Sequence, residues 1–414
     1  MKVSKRTFGV SLATLLTLNA SLAFAQSGET VKIAVIDPLS GPAASAGSNV
    51  LHIFQFLGER LSGKGNPAGV KYEIVAFDNK MSPQDTLSAL KAASDQGIRY
   101  VTQGVGSGAG LALIDALNKY NERNPGKEIL YLNHNAADPS MTNEKCSFWH
   151  FRFEPDVSMK MEVMSSSIKD NAAVKKVYLI NQNYSAGQQV EKYAKEMVAR
   201  KRPDVQIVGD DLHPIAQVKD FSPYVAKIKQ SGADTVITGN WGSDISLLFK
   251  ASKEAGLDVN FYTYYAGSPG APSLLGDYGL GKVKYSGSMY TNMPGEASKI
   301  RRDFEAKYKE DFTIPAAIHL YSMLGEAMAK AKSTDPVKVA KAMEGMTVKT
   351  VTGDVTMRAA DHQLQLPLYM VSWAKVDKQN PDAREGTGNT WVGEKRYEAY
   401  VSSTPTTCQM KRPG

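Results

Sequence analysis

The chain has 414 residues, 42% hydrophobic and 22% charged, with a formal net charge of +7, long enough for two domains with sizeable cores. Its Lys and Arg residues are spread over helical stretches rather than gathered in a stripe, which excludes a nucleic-acid footprint. Beyond the first 25 residues no continuous apolar stretch is long enough to span a bilayer.

Residues 1–25 read as a secretory signal. Lys2, Lys5 and Arg6 precede an apolar core from Phe8 to about Leu22, and Ala23-Phe24-Ala25 supplies the small residues of a cleavage site. Polar Thr14, Thr17 and Asn19 interrupt that core, which argues against an anchor. Removal of the segment takes three basic residues with it and lowers the net charge from +7 to +4. The mature protein is expected to be soluble outside the cytoplasm.

From Val31 onward, short apolar runs alternate with longer amphipathic ones, the mark of β-α-β units and a parallel sheet. Residues 31–36 predict a strand, Ser40-Gly41-Pro42 a turn, and residues 50–61 a helix. A second strand over 72–77 closes at Asp78. Ser82-Pro83 then supplies a cap and a first-turn proline for a helix to about Gln96. A third strand, 99–102, runs into Gly104, Gly106, Ser107, Gly108 and Gly110, followed by Leu111, Leu113, Ile114 and Leu117 at helical spacing.

This glycine-rich turn organises the functional reading. The first-turn amides of a helix lack internal partners and carry the positive end of its dipole, so an anionic group can rest there beside the Ser107 hydroxyl. Glycines that merely permit tight geometry are the plainer alternative. Gly104-x-Gly106-x-x-Ala109 can also be set on a dinucleotide fingerprint. That motif belongs on a first strand with an acidic residue about 20 positions later, and neither condition is met.

Residues 128–132 predict a fourth strand and 133–139 a loop. The aromatic-rich stretch 146–153 ends in Glu154-Pro155-Asp156, read as a crossing into a second lobe. There, strands over 176–180, 206–208, 235–238 and 260–264 alternate with helices over 188–200, 221–230 and 245–255. Ligands of open parallel sheets bind beyond the carboxyl ends of strands, so residues 181–185, Asn240, Trp241, Tyr264 and Tyr265 are expected to face the same crevice as Ser107. A strand over 283–290 precedes a helical stretch to Lys332 and a helix over 336–343. Segments 351–357 and 366–376 look extended, as edge strands would be, and 380–390 reads as a loop. No repeat of solenoid period is present.

Cys146 and Cys408 in an exported chain are expected to pair and fasten the C-terminal tail; two unpaired thiols are the alternative. The six histidines include no i, i+4 pair, and neither metal nor cofactor is expected.

The chain resembles the periplasmic substrate-binding proteins of the leucine/isoleucine/valine-binding type, which serve ABC importers. The resemblance rests on Ile33-Ala34-Val35 followed by Leu39-Ser40-Gly41-Pro42, on Gly97-Ile98-Arg99-Tyr100-Val101 before the Ser107 turn, on Ala136-Ala137-Asp138-Pro139, on Phe151-Arg152 and on Asp220-Phe221-Ser222. It implies an α/β fold of two doubly wound, Rossmann-like lobes joined by three crossovers, a type I periplasmic binding protein. Lobe 1 is expected over 26–153 and 286–358, lobe 2 over 154–285 and 359–400, and a tail over 401–414. The resemblance further implies a periplasmic, non-catalytic, monomeric protein. Its partners would be a small-molecule ligand and a membrane-embedded ABC permease.

The serine matching Ser107 bonds the ligand carboxylate in this family, together with backbone groups of the loop matching residues 135–137. Ala137 stands where a threonine is usual, with Asn135 as its candidate replacement. Tyr265 stands where a glutamate neutralises the ammonium of amino-acid ligands, and an unmatched buried ammonium costs on the order of several kcal/mol. Ala46 and Ala186 match two ligand-flanking aromatics. Trp241 falls on a lining tyrosine, and Trp241, Tyr265 and Tyr184 could form flat walls for a ring. Core packing is the alternative for Tyr184; Tyr262 and Tyr264 are read as sheet residues.

The expected ligand is therefore a small carboxylate, aromatic or otherwise planar, without an ammonium. A branched-chain amino acid or amide binder is the alternative within the family. An exported hydrolase using Ser107 is the alternative of another class, against which Gly106-Ser107-Gly108 lacks the G-x-S-x-G elbow. A sensor reporting to a membrane partner is a further one.

Overall fold

The computed structural model describes Met1 and residues 28–413, so the expected signal segment lies outside the described residues apart from Met1. The first sheet holds β1 (Thr30–Asp37), β2 (Lys71–Asp78), β3 (Tyr100–Gln103), β4 (Leu130–Asn133) and β5 (His150–Arg152). All its pairings are parallel, in the order β2-β1-β3-β4-β5. Its crossover helices are α1 (Ala44–Arg60), α2 (Pro83–Asp95) and α3 (Ser107–Arg123). They cover both faces, which is why Ile33 to Asp37 are buried without alternation. The Ser82 hydroxyl accepts from the Asp85 amide, and Pro83 opens α2.

The second lobe opens with α4 (Val157–Asp170). It continues through β6 (Lys176–Gln182), α5 (Ser185–Lys201), β7 (Gln206–His213), α6 (Ser222–Ser231), β8 (Thr235–Thr238), α7 (Ser243–Glu254), β9 (Asn260–Thr263), α8 (Ala271–Leu275) and β10 (Val283–Gly287). The chain then returns to the first lobe. There α9 (Glu296–Tyr308), α10 (Ala316–Ala331) and α11 (Pro336–Met343) follow, with Phe304 of α9 against Phe56 of α1 and Tyr321 of α10 against Phe54. Strands β11 (Thr347–Thr350), β12 (Gly353–Met357) and β13 (Leu364–Gln365) form a small antiparallel sheet. β14 (Leu368–Lys375) and β15 (Asn389–Tyr397) complete the second sheet, ordered β15-β14-β10-β9-β8-β6-β7.

Three points correct the sequence reading. Helix α4 escapes it because the helix is buried on nearly every side, from Val157 to Met161 without interruption, so it shows no amphipathic stripe. The extended 351–357 stretch belongs to the small sheet rather than to a lobe edge, since β12 pairs β11 and β13. The edge of the second sheet is β15, hidden in the sequence because Glu394, Lys395 and Arg396 break its apolar run. β14 lies between β10 and β15 and pairs antiparallel with both.

Arg152 gathers the crossovers. Its guanidinium donates to the Asp138 carbonyl at 2.6 Å, to Asp156 Oδ2 at 2.9 Å and to the side chains of Thr142 and Gln363. It is fully buried, so these bonds are what compensate its lost hydration. Cys146 and Cys408 are disulfide-bonded, with Cα atoms 5.6 Å apart. The tail is also pinned by the Thr406 hydroxyl, which donates to the Thr142 carbonyl at 2.8 Å.

Candidate functional site

A cavity of about 160 Å³ lies between the lobes, comparable with a roughly 150 Å³ cavity that holds one benzene. Ser107, Asn135, Ala137, Tyr184, Trp241 and Tyr265 all line it, as does Ala46. Ala186 does not line it; it is buried beneath, in α5. Each of the six sits just past the carboxyl end of a strand, the first three on lobe 1 and the last three on lobe 2.

On the first-lobe wall, Gly106 takes a φ of 90° as the cap of α3, a conformation open to glycine. The turn leaves the amides of Ser107 and Gly108 without an acceptor among the described residues. The Ser107 side chain is buried in the same place, 2% exposed. The opposing loop corrects one expectation. The amides of Asn135 and Ala136 donate to Asn133 Oδ1 at 3.1 and 2.8 Å, so of the three loop amides only that of Ala137 remains for a ligand. A short side chain capturing backbone two and three residues on is a common turn device.

On the second-lobe wall, the Trp241 indole donates to the Tyr184 hydroxyl at 3.0 Å, which fixes both rings as one surface. Burial raises the hydroxyl pKa of Tyr184 and of Tyr265, so both remain protonated and able to donate. Tyr264 also lines the cavity, but its hydroxyl is already engaged, donating to the Val157 carbonyl at 3.0 Å.

Two charged residues here escape the sequence reading. Glu154 and Lys160 line the cavity and form a buried ion pair, and the Lys160 ammonium stands 4.5 Å from the centre of the Tyr265 ring. The expectation of a wall without a carboxylate is thus corrected: among the described residues Glu154 is the one acidic lining residue, and Lys160 neutralises it. Both lie where α4 begins, so a reading without that helix hides the pair. The Glu154-Pro155-Asp156 crossing is the available signal.

Arg301 and Arg384 also line the cavity and connect the lobes. Arg384, between β14 and β15, meets Glu305 of α9 at 2.6 Å and Asp311 at 2.5 Å. Arg301 of α9 meets Asp382 and Glu305. Burial raises the Asp311 pKa to about 6 against the opposing pull of Arg384. Among the described residues no group of three His, Cys, Asp or Glu side chains could hold a metal ion.

Two Rossmann-like lobes around a lined cavity define the two-lobed solute-binding class. The chain belongs to the periplasmic binding protein family, whose profile matches residues 30–380, and within it to the Leu/Ile/Val-binding type that serves ABC importers. It is 34% identical to the Leu/Ile/Val-binding protein homolog 4 of Brucella abortus, covering 98% of both chains. It is similar to the crystal structure of a leucine-, isoleucine-, valine-, threonine- and alanine-binding protein from Brucella ovis in a closed conformation. That match has a TM-score of 0.81 and 33% identity over 93% of this chain and 100% of that one. A solute-binding protein of an ABC transporter from Rhodopseudomonas palustris BisB5, in complex with 3,4-dihydroxybenzoic acid, shares the fold at a TM-score of 0.77 and 18% identity. There 89% of this chain and 98% of the other are covered.

Proposed function

We propose that this protein binds a small, planar carboxylate in the periplasm and presents it to a membrane-embedded ABC permease. The observation that carries the reading is the neutralisation of Glu154 by Lys160. The only acidic side chain lining the cavity among the described residues is already partnered, so an ammonium entering it would meet no free countercharge. The ligand carboxylate would rest on the amides of Ser107, Gly108 and Ala137 with the Ser107 hydroxyl, and Asn135 would donate from the side. Its flat body would lie against Trp241 and Tyr184 on one side and Tyr265 on the other. Closure of the lobes on the ligand would shift the population toward the form a permease recognises. The aromatic acid bound by the R. palustris protein is in keeping with this.

A second reading is favoured by one specific observation: Glu154 does line the cavity. If Lys160 swung aside, Glu154 could meet the ammonium of a branched-chain amino acid, as the names of the Brucella relatives suggest. A hydrolase reading is disfavoured because among the described residues no histidine lines the cavity with Ser107 to act as its base.

Titration calorimetry of protein stripped of bound solute tests these readings, with benzoate, 4-hydroxybenzoate, L-leucine and L-valine as probes. Binding of the benzoates, weakened at least tenfold by Trp241→Ala, is the expected result. Tight binding of leucine and valine with none of the benzoates overturns the planar-acid reading in favour of the second.

A further inference from the structure

A second pair of titratable groups lies directly behind the Ser107 turn, outside the cavity lining. Asp37 ends β1 and is fully buried; its Oδ1 accepts from the amides of Gly104 at 3.2 Å and Val105 at 2.9 Å. Its Oδ2 faces Nε2 of the equally buried His134, 3.3 Å away, and neither atom has another partner among the described residues.

The protonation of His134 follows from its other nitrogen. Nδ1 lies 2.8 Å from the Thr102 hydroxyl, which is also 2.7 Å from the Leu132 carbonyl and has one hydrogen for the two contacts. Assigned to the carbonyl, which can only accept, that hydrogen leaves Nδ1 to carry one of its own and donate to Thr102. That leaves a neutral imidazole with a bare lone pair at Nε2, aimed at a carboxylate oxygen. Two acceptors do not face each other unsolvated without a proton between them.

We propose that Asp37 and His134 hold one proton between them, and that this keeps the floor of the Ser107 turn uncharged so that an anion can bind above it. The pair is neutral whether the proton sits on Oδ2 or on Nε2. Asp37 thereby acts as a positioning residue that also sets the field. It ties down the amides of Gly104 and Val105, while its partner precedes Asn135, so both halves of the anion site rest on one proton. Burial acts in the same direction, raising Asp37 to about 7 and lowering His134 to about 3.

The surroundings offer no replacement charge among the described residues. β2 brings Asp78, in register with Asp37 but bonded to the Leu39 amide and the Ser40 hydroxyl. β4 brings Tyr131, whose hydroxyl donates to Gln103, and α1 brings only the ring of Phe54, 5.1 Å from that of His134. Loss of the proton leaves a buried negative charge at most one hydrogen bond and two peptide units, roughly 10 Å, from Ser107. At an effective dielectric near 20 that weakens anion binding by roughly fifteenfold.

This inference rests on the carboxylate lying at Ser107, which both readings of the ligand share, so 4-hydroxybenzoate and L-leucine serve as probes between pH 6 and 8.5. The expected result is an affinity that falls by tenfold or more across that range in the wild type and stays flat in Asp37→Asn. The carboxamide introduced by that substitution can donate to Nε2 and accept from the two backbone amides without titrating. An equal slope in both proteins overturns the proposal. If neither probe binds at any pH, the anion-site reading fails on its own. The proton is then decided by nitrogen NMR of histidine-labelled protein at pH 6.5: hydrogen on Nδ1 of His134 with Nε2 either hydrogen-bonded or itself protonated supports it, and hydrogen on Nε2 alone overturns it.

Discussion

Replacing Lys160 by methionine tests the electrostatics of the cavity most directly. Lys160 and Glu154 have side chains only 3% and 10% exposed, so the substitution strands a buried carboxylate. Removing one member of such a pair costs about 3–5 kcal/mol, whereas replacing both members by neutral residues is close to neutral. The double variant Lys160→Met/Glu154→Gln is therefore expected to be more stable than Lys160→Met, with a coupling of at least about 2 kcal/mol in the four-protein cycle. Urea denaturation followed by tryptophan fluorescence measures it. The same substitution frees Glu154 to face a ligand ammonium. A hydrogen bond to a charged group contributes about 1.5–3 kcal/mol, so the ratio of leucine to 4-hydroxybenzoate affinity is expected to rise by about ten- to a hundredfold. Stabilities additive within about 0.5 kcal/mol together with an unchanged ligand ratio would refute the reasoning.

Three further outcomes are expected. Gly104→Ala puts a Cβ 2.4 Å from His134 Nε2 and 2.8 Å from the Asn135 amide, so it should cost about 1–3 kcal/mol in denaturation and weaken ligand binding by displacing the loop. Asp311 has a folded pKa raised from 3.8 to about 6, so the folded state binds more protons between those values and its stability falls as pH rises through that window. Asp311→Asn should therefore gain on the wild type by up to about 2–3 kcal/mol between pH 4 and pH 7, read from melts at both. The Cys146→Ser/Cys408→Ser variant opens a link between residues 262 apart in sequence and should lose about 2–4 kcal/mol, measured by chemical denaturation.

The cavity is legible in the sequence to the extent that it is built from strand ends. Ser107, Asn135 and Trp241 follow short apolar runs whose direction is fixed by β-α-β order, so their convergence can be read from spacing alone. What escapes is what depends on partners distant in sequence or on helices without a polar face. Lys160 sits among Met159, Met161 and Val163 in the fully buried first turns of α4, where a lysine gives no periodic signal. Asp37 and His134 come from β1 and the end of β4 and meet only because β3 lies between those strands, a register no local pattern encodes. The capture of the Asn135 and Ala136 amides by Asn133 is local, yet a loop asparagine has several such options and the sequence does not select among them.

The arginines that join α9 to the segment between β14 and β15 bear on how tightly a solute must be held. Because Arg301 and Arg384 already tether the two halves through Asp382, Glu305 and Asp311, the bound molecule is not the sole clasp. Retention and release then become a shared property of cargo and of the contacts between the halves, and because both arginines are buried, added salt screens their grip far less than it would that of a surface pair.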